Sequence, residues 1–149
     1  MDLEVTLTKR LLIGIFILTA TAVTAHAQTP VGFDEFFQDR ALRFDLYQIG
    51  DAKDEVVTLD QIYQEGIWPE SRTHLIDRFN YGRYVVKLYD VASNQLIYSR
   101  GFDSTYAEYK TTTPALNGVK RVFERSVRVP EPKRPFLFVI EGRDKFHLL

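Results

Sequence analysis

The sequence predicts an all-β protein, a β-sandwich of short, mainly antiparallel strands with one or two short helical turns. Three observations carry that expectation. The stretch RYVVKLYDVASNQLIYSRGF, Arg83 to Phe102, is a clear β-hairpin. Several further runs of four to eight residues alternate apolar and polar side chains, the period of a half-buried strand. Glycine, proline, asparagine and aspartate punctuate the chain at short intervals, as turns between short strands require.

The hairpin organises the rest. Its first arm sets Tyr84, Val86 and Leu88 on one side of the pleat and Val85, Lys87 and Tyr89 on the other. One face is therefore apolar and the other mixed. Asp90 to Asn94 is small and polar and makes the turn, and Gln95 to Arg100 forms the second arm before Gly101 stops it.

Before the hairpin, Lys9 and Arg10 precede LLIGIFIL and TATAVTA, and Ala25-His26-Ala27 is a small-x-small cleavage signature. This reads as a signal peptide over residues 1–27, with a mature chain starting at Gln28 and exported to the periplasm or beyond the cell. Leu11 to Ala25 is short of the ~20 apolar residues of a spanning helix, so no membrane association is expected after cleavage. Residues 28–149 are expected to form a single domain. Phe33, Phe36 and Phe37 at i, i+3 and i+4 suit one amphipathic turn capped by Asp34. Leu42, Phe44 and Leu46 alternate with Arg43, Asp45 and Tyr47 in a strand that ends at Gly50-Asp51. The acidic loop Asp51 to Glu55 lacks the ligand order of a calcium loop. Val56 to Leu59 and Gln61 to Tyr63 are short strands. Trp68, the only tryptophan, is read as a lid over the core, with an exposed binding aromatic as the competing reading.

Ser71, His74 and Asp77 stand three apart, but triads draw their members from separate elements, and nothing here builds an oxyanion hole. Asn80-Tyr81-Gly82 turns the chain into the hairpin. After it, Phe102, Tyr106 and Tyr109 at helical spacing, with Thr105 and Glu108 in capping-box spacing, predict a short helix that Pro114 ends. Lys120 to Val129 is a strand with Phe123, Val127 and Val129 on one side. PEPKRP is a connection at a sheet edge. Phe136 to Ile140 is apolar on both faces, which predicts a strand that is central or covered on both sides.

Composition removes several function classes. With no cysteine there is no disulfide, thiol nucleophile or cysteine-ligated zinc. A net charge of -1 is not the footprint of a nucleic-acid binder. Charge is nonetheless uneven, with eleven acidic and five basic residues from Asp34 to Arg78 against seven and twelve from Phe79 to Leu149. That asymmetry is read as solvated strand faces, with a polarised surface as the alternative. No spacing singles out a carboxylate pair for acid-base chemistry.

The runs YQEGIWPESRTHLID, RYVVKLYD, NQLIYSRGFDSTYAEYKTT and SVRVPEPKRPFLFVI resemble the N-terminal domain of the IgA-peptidase-type zinc metallopeptidases, a bacterial exported group. The resemblance spans Phe33 to Asp144 and is most specific in YSRGFDS with the aromatic-x-x-aromatic and TT that follow. Tyr109 stands where tryptophan is expected and His74 where asparagine is. The resemblance implies a non-catalytic β-sandwich accessory module, with peptidase activity in a following domain that carries an H-E-x-x-H zinc helix. Here His26, His74 and His147 are each followed by a residue other than glutamate, so that zinc site cannot be built from this sequence.

The expected function is therefore that of an accessory domain, without enzyme activity or cofactor, that docks on a zinc peptidase unit or presents a protein substrate to it. Phe146 and Leu148 are the expected contacts, and self-association is the expected behaviour without that unit. The alternative is a free-standing glycan- or peptide-binding module of the cell envelope that uses Trp68, Tyr106 and Tyr109 as stacking surfaces.

Overall fold

The computed structural model describes residues 30–143, so the expected signal peptide and cleavage site, and Phe146 and Leu148, lie outside the described residues. The chain runs α1 (Phe33–Phe36), β1 (Phe37–Gly50), β2 (Glu55–Gln64), β3 (Tyr84–Asp90), β4 (Gln95–Phe102), α2 (Thr105–Tyr109), α3 (Thr113–Leu116), β5 (Arg121–Pro132) and β6 (Phe136–Gly142). Two antiparallel three-stranded sheets result, in the orders β2-β1-β5 and β4-β3-β6. The predicted all-β sandwich is the observed architecture. β1–β2 and β3–β4 are local pairs, whereas β5 returns to β1 and β6 to β3, so each of the last two strands completes one sheet.

Alternation decides the faces. In β1, Phe44, Leu46 and Gln48 are buried between the sheets, while Arg43, Asp45 and Tyr47 point outward and are partly exposed. The outward face is a polar lattice. Arg43 donates to Asp45 at 3.0 and 3.1 Å and to Glu65 at 3.0 Å; Arg128 donates to Glu65 at 2.6 Å and Ser126 to Asp45 at 2.7 Å. In the second sheet, Val86 and Leu88 are fully buried, with Phe138 stacked on Phe44 across the interior at 4.0 Å. The inner face of the hairpin is as the sequence predicts. Its second face is more enclosed than expected, because Val85 is also buried. Val85 pairs with Gly101, and the carbonyl of Tyr81 lies close over that glycine.

Four local expectations are corrected. The first helix stops at Phe36, and Phe37 is already extended; Gly32, not Asp34, is the N-cap. All three phenylalanines are still buried. β2 is one strand, and its apparent break at Asp60 is a bulge, since Asp45 faces Gln61 while Leu46 faces Leu59. Ser104, not Thr105, caps α2, and Pro114 lies in the first turn of α3, where the missing N–H costs nothing. Finally, Phe136 to Ile140 is not a central strand. β6 pairs only with β3 among the described residues and is a sheet edge, with Leu137 54% exposed on its outer side. Pro130 and Pro132 are tolerated inside β5 because β5 is an edge as well.

The uneven charge along the sequence is largely neutralised by folding. Glu55 pairs with Lys110, Glu65 with Arg128, Asp54 with Lys120, Asp77 with Arg143, and Glu70 with Arg100, each an acidic residue of the first half meeting a basic one of the second. The polarised-surface reading therefore loses most of its charges to internal pairs.

Several carboxylates are held below their usual range. For Asp45 the main causes are the hydrogen bonds from Ser126 and Arg43; for Asp51, the backbone amides of Asp54 and Lys53; for Glu65, the bond from Arg128; and for Asp90, the bonds from Ser93. A carboxyl with a depressed folded pKa adds stability above its unfolded value, near 4, and loses it as pH falls through the folded value. The expected melting temperature is thus flat from about pH 5 to 8 and falls below about pH 4. Circular dichroism melts across that range check it, and an unchanged melting temperature at pH 3 would contradict it.

Candidate functional site

Stacking two sheets of three strands leaves two seams where edge strand faces edge strand. They differ in chemistry. The first seam lies between β2 and β6 and is apolar. Register places Ile62 beside Phe44, Leu59 beside Leu46 and Val57 beside Gln48, so these β2 residues project from the inner face of their sheet. On the opposite sheet, Phe136, Phe138 and Ile140 pair with Asp90, Leu88 and Val86 and also face inward. Together with Phe44 and Leu46 they line a groove of about 510 Å³. No strand covers β2 from the facing sheet, so Val57, Leu59 and Ile62 remain 37, 52 and 50% exposed. A single exposed apolar residue is ordinary; a contiguous row along an open groove is not.

The second seam lies between β4 and β5. Glu70, Val86, Arg100, Phe102, Arg125 and Val127 are among the side chains around a cleft of about 340 Å³. It is polar at the rim and apolar within.

The aromatic candidates named from sequence lie elsewhere. Trp68 is 4% exposed, with its ring edge-on to Tyr98 at 6.0 Å and its Nε1 donating to the Ser71 carbonyl at 3.2 Å. It is a lid whose ring belongs to the core. Tyr106 and Tyr109 are buried with Tyr84 and Ala115 in a smaller cluster under α2 and α3. Tyr106 donates to the carbonyls of Asp51 and Asp54 at 2.9 Å each, and burial, with the carboxylates of Glu55, Asp51 and Asp54, pushes its phenol up to about 12. Tyr109 donates to Val119 O at 2.6 Å. Neither ring is offered to a partner by this fold. Burial likewise raises Tyr84 and Tyr98, so these phenols stay neutral at physiological pH.

Among the described residues the most exposed aromatics are Phe79 and Tyr81, at 75 and 74%, stacked on each other at 5.9 Å. They sit in the turn before the hairpin, where no sequence period marks them. Ser71 and His74 do meet, Oγ to Nδ1 at 3.1 Å, but within one tight turn in which Ser71 Oγ also accepts from the amides of Thr73 and His74. Asp77 is engaged elsewhere, accepting from the amides of Phe79 and Asn80 and pairing with Arg143. That is turn chemistry and not a triad. The Asp51 loop is also a turn, its carboxylate accepting from the amides of Lys53 and Asp54. Among the described residues, no group of three or more His, Cys, Asp or Glu side chains is placed to hold a metal ion.

The described residues thus form an open-seamed antiparallel sandwich with an apolar groove at one seam and an arginine-rimmed cleft at the other. The chain belongs to the peptidase M64 N-terminus family, whose model matches residues 32–149. The family resemblance of its sequence runs is thereby established over nearly the whole of the described structure. No curated protein matches the chain.

Proposed function

We propose that this is a non-catalytic accessory domain that docks on a zinc peptidase unit through the apolar seam between β2 and β6. The carrying observation is that row of half-exposed Val57, Leu59 and Ile62 above Phe136, Phe138 and Ile140, on a chain whose family is the N-terminus of a peptidase. Contacts between domains typically bury about 600–1,500 Å², a scale that a groove two strands long supplies when a second surface fills it. β6 borders the seam, and Phe146 and Leu148 follow it in the sequence. Substrate presentation is compatible with docking at this seam, because it leaves the β4–β5 side free.

Sedimentation velocity of the chain across concentrations, with and without a catalytic unit of this peptidase family, tests the proposal. The chain is expected to self-associate alone and to bind the unit when it is supplied. The double variant Leu59→Asp/Ile62→Asp should lose both while melting within a few degrees of the parent, since both side chains are half in solvent. A strictly monomeric chain that ignores the peptidase unit removes the docking reading.

The second reading, a free-standing glycan- or peptide-binding module, has its own observation in the exposed Phe79–Tyr81 stack. Aromatic faces of this kind suit the apolar side of a sugar ring. Glycan-array binding abolished by Phe79→Ala/Tyr81→Ala would put that reading first.

A further inference from the structure

We infer that the β4–β5 seam is a binding site for an acidic side chain of an extended polypeptide, with Arg125 as its anion-binding residue. The inference is independent of docking at the apolar seam. Arg125 pairs in register with Leu46, between Phe123 and Val127, and therefore projects from the inner face of its sheet, where its neighbours are apolar. Arg125 is half-buried there, and a donor shut off from water needs a partner. Arg125 has no ion pair among the described residues, and its Nε is buried without a hydrogen-bond partner. The guanidinium lies over the ring of Phe102 at 5.0 Å, and Phe102 in turn stacks on Tyr84 at 5.6 Å. The cation–π contact holds the guanidinium over the ring, where its remaining N–H groups can meet a carboxylate.

The other arginines at the cleft are already engaged. Arg100 pairs with Glu70 across the rim, and Arg128 with Glu65 on the outer face. Asp103 accepts from the amide of Arg83 at 2.8 Å. The cleft is lined by Arg100, Arg125 and Arg128 against Glu70 and Asp103, an excess of one positive charge that suits one carboxylate better than a dianionic phosphate. The site lies along an edge strand. β5 has β1 on one side and no strand on the other among the described residues, so its free backbone groups can take an added strand. An extended peptide laid there alternates its side chains between the two faces, and those on the inner side reach the cleft.

Arg125 has a competing explanation in edge protection, since inward charges on edge strands discourage strand addition. Affinity measurements separate the two. The probes are a blocked five-residue peptide of alternating valine and threonine with one central glutamate, and its glutamine counterpart, titrated into the full chain and followed by amide chemical shifts. The glutamate peptide is expected to bind about tenfold more tightly than the glutamine one, as a charge-assisted bond to a guanidinium implies, with shifts at Gly101, Phe102 and Val127. Arg125→Gln should abolish the preference and Arg125→Lys should weaken it, each with a melting temperature measured alongside. Lys53→Gln, an equal charge change elsewhere, should preserve it. Equal binding of the two peptides, or none of either, overturns the proposal and leaves edge protection. Tighter binding of inorganic phosphate or of galacturonate than of the glutamate peptide also overturns it.

Discussion

Val86→Asp is expected to abolish cooperative folding. Val86 is completely buried at the middle of β3, paired with Arg100 on one side and Ile140 on the other, and it lines the inner face with Leu88. Arg100 does not rescue the new carboxylate, because its guanidinium lies at the rim in a pair with Glu70, and Arg125, which lines the same cleft, is held over the Phe102 ring. Burying an unpaired charge costs several kcal/mol even after it takes up a proton, and the whole domain is expected to be stable by only about 5–15 kcal/mol. Lys87→Asp, one residue along, supplies the contrast. Lys87 faces outward and its Nζ lies 2.5 Å from Glu141 in the next strand, so the substitution sets two carboxylates side by side. Like charges across a strand pair destabilise by about 1 kcal/mol or less, and the variant should remain folded with a somewhat lower melting point. Circular dichroism melts of both variants are the check. If the two melt alike, the assignment of inner and outer faces is wrong.

The β3–β4 hairpin was legible because both its alternation and its turn are local properties of the sequence. The order of strands is not local. Phe136 to Ile140 reads as a strand covered on both sides, yet it forms a sheet edge, since an apolar run can face an open seam as well as a core. Which of the two occurs depends on where β2 and β6 end up, and no window of sequence contains both. The depth of the aromatic row is not local either. Tyr106 and Tyr109 are recognisable as an aromatic row at helical spacing, but their depth comes from Phe123 and Ala115, which reach them from β5 and α3.

Arg125 is the opposite case, a signal that the sequence does carry. Phe123, Val127 and Val129 were correctly placed on one face of a strand, and the same period puts Arg125 on that face between them. A charged residue at an apolar phase is a question that the sequence already asks. What the sequence does not contain is the ring of Phe102 beneath it, or the pairing of Arg100 and Arg128 with other carboxylates, and these turn an oddity of pattern into a candidate site.

Gly101→Val is expected to destabilise the domain by about 3 kcal/mol or more, the upper range for overpacking a closed site. A Cβ at Gly101 would lie 1.9 Å from the carbonyl oxygen of Tyr81 and 3.1 Å from Nη1 of Arg143. The first of these is backbone and cannot turn aside. The 77–83 segment is clamped onto the outer side of β4 by Arg143, whose Nη1 donates to Tyr81 O at 2.6 Å and Gly82 O at 3.1 Å while Nη2 lies 3.4 Å from Asp77. Gly82 is itself left-handed, with φ of 85°, and sits against the backbone of Phe102. Pushing Tyr81 away therefore strips the partners from a guanidinium only 5% exposed, which adds the cost of a buried, unpaired charge to the steric one. It also uncovers Val85 and releases the turn that carries Phe79 and Tyr81. Gly66→Ala is the control, because a Cβ there meets nothing within 4 Å, and its effect should stay within about 0.5 kcal/mol. Urea denaturation of the two variants measures the difference. Equal stabilities would mean that the 77–83 segment does not lie against β4 in solution, and that the Phe79–Tyr81 stack is not held where a ligand could use it.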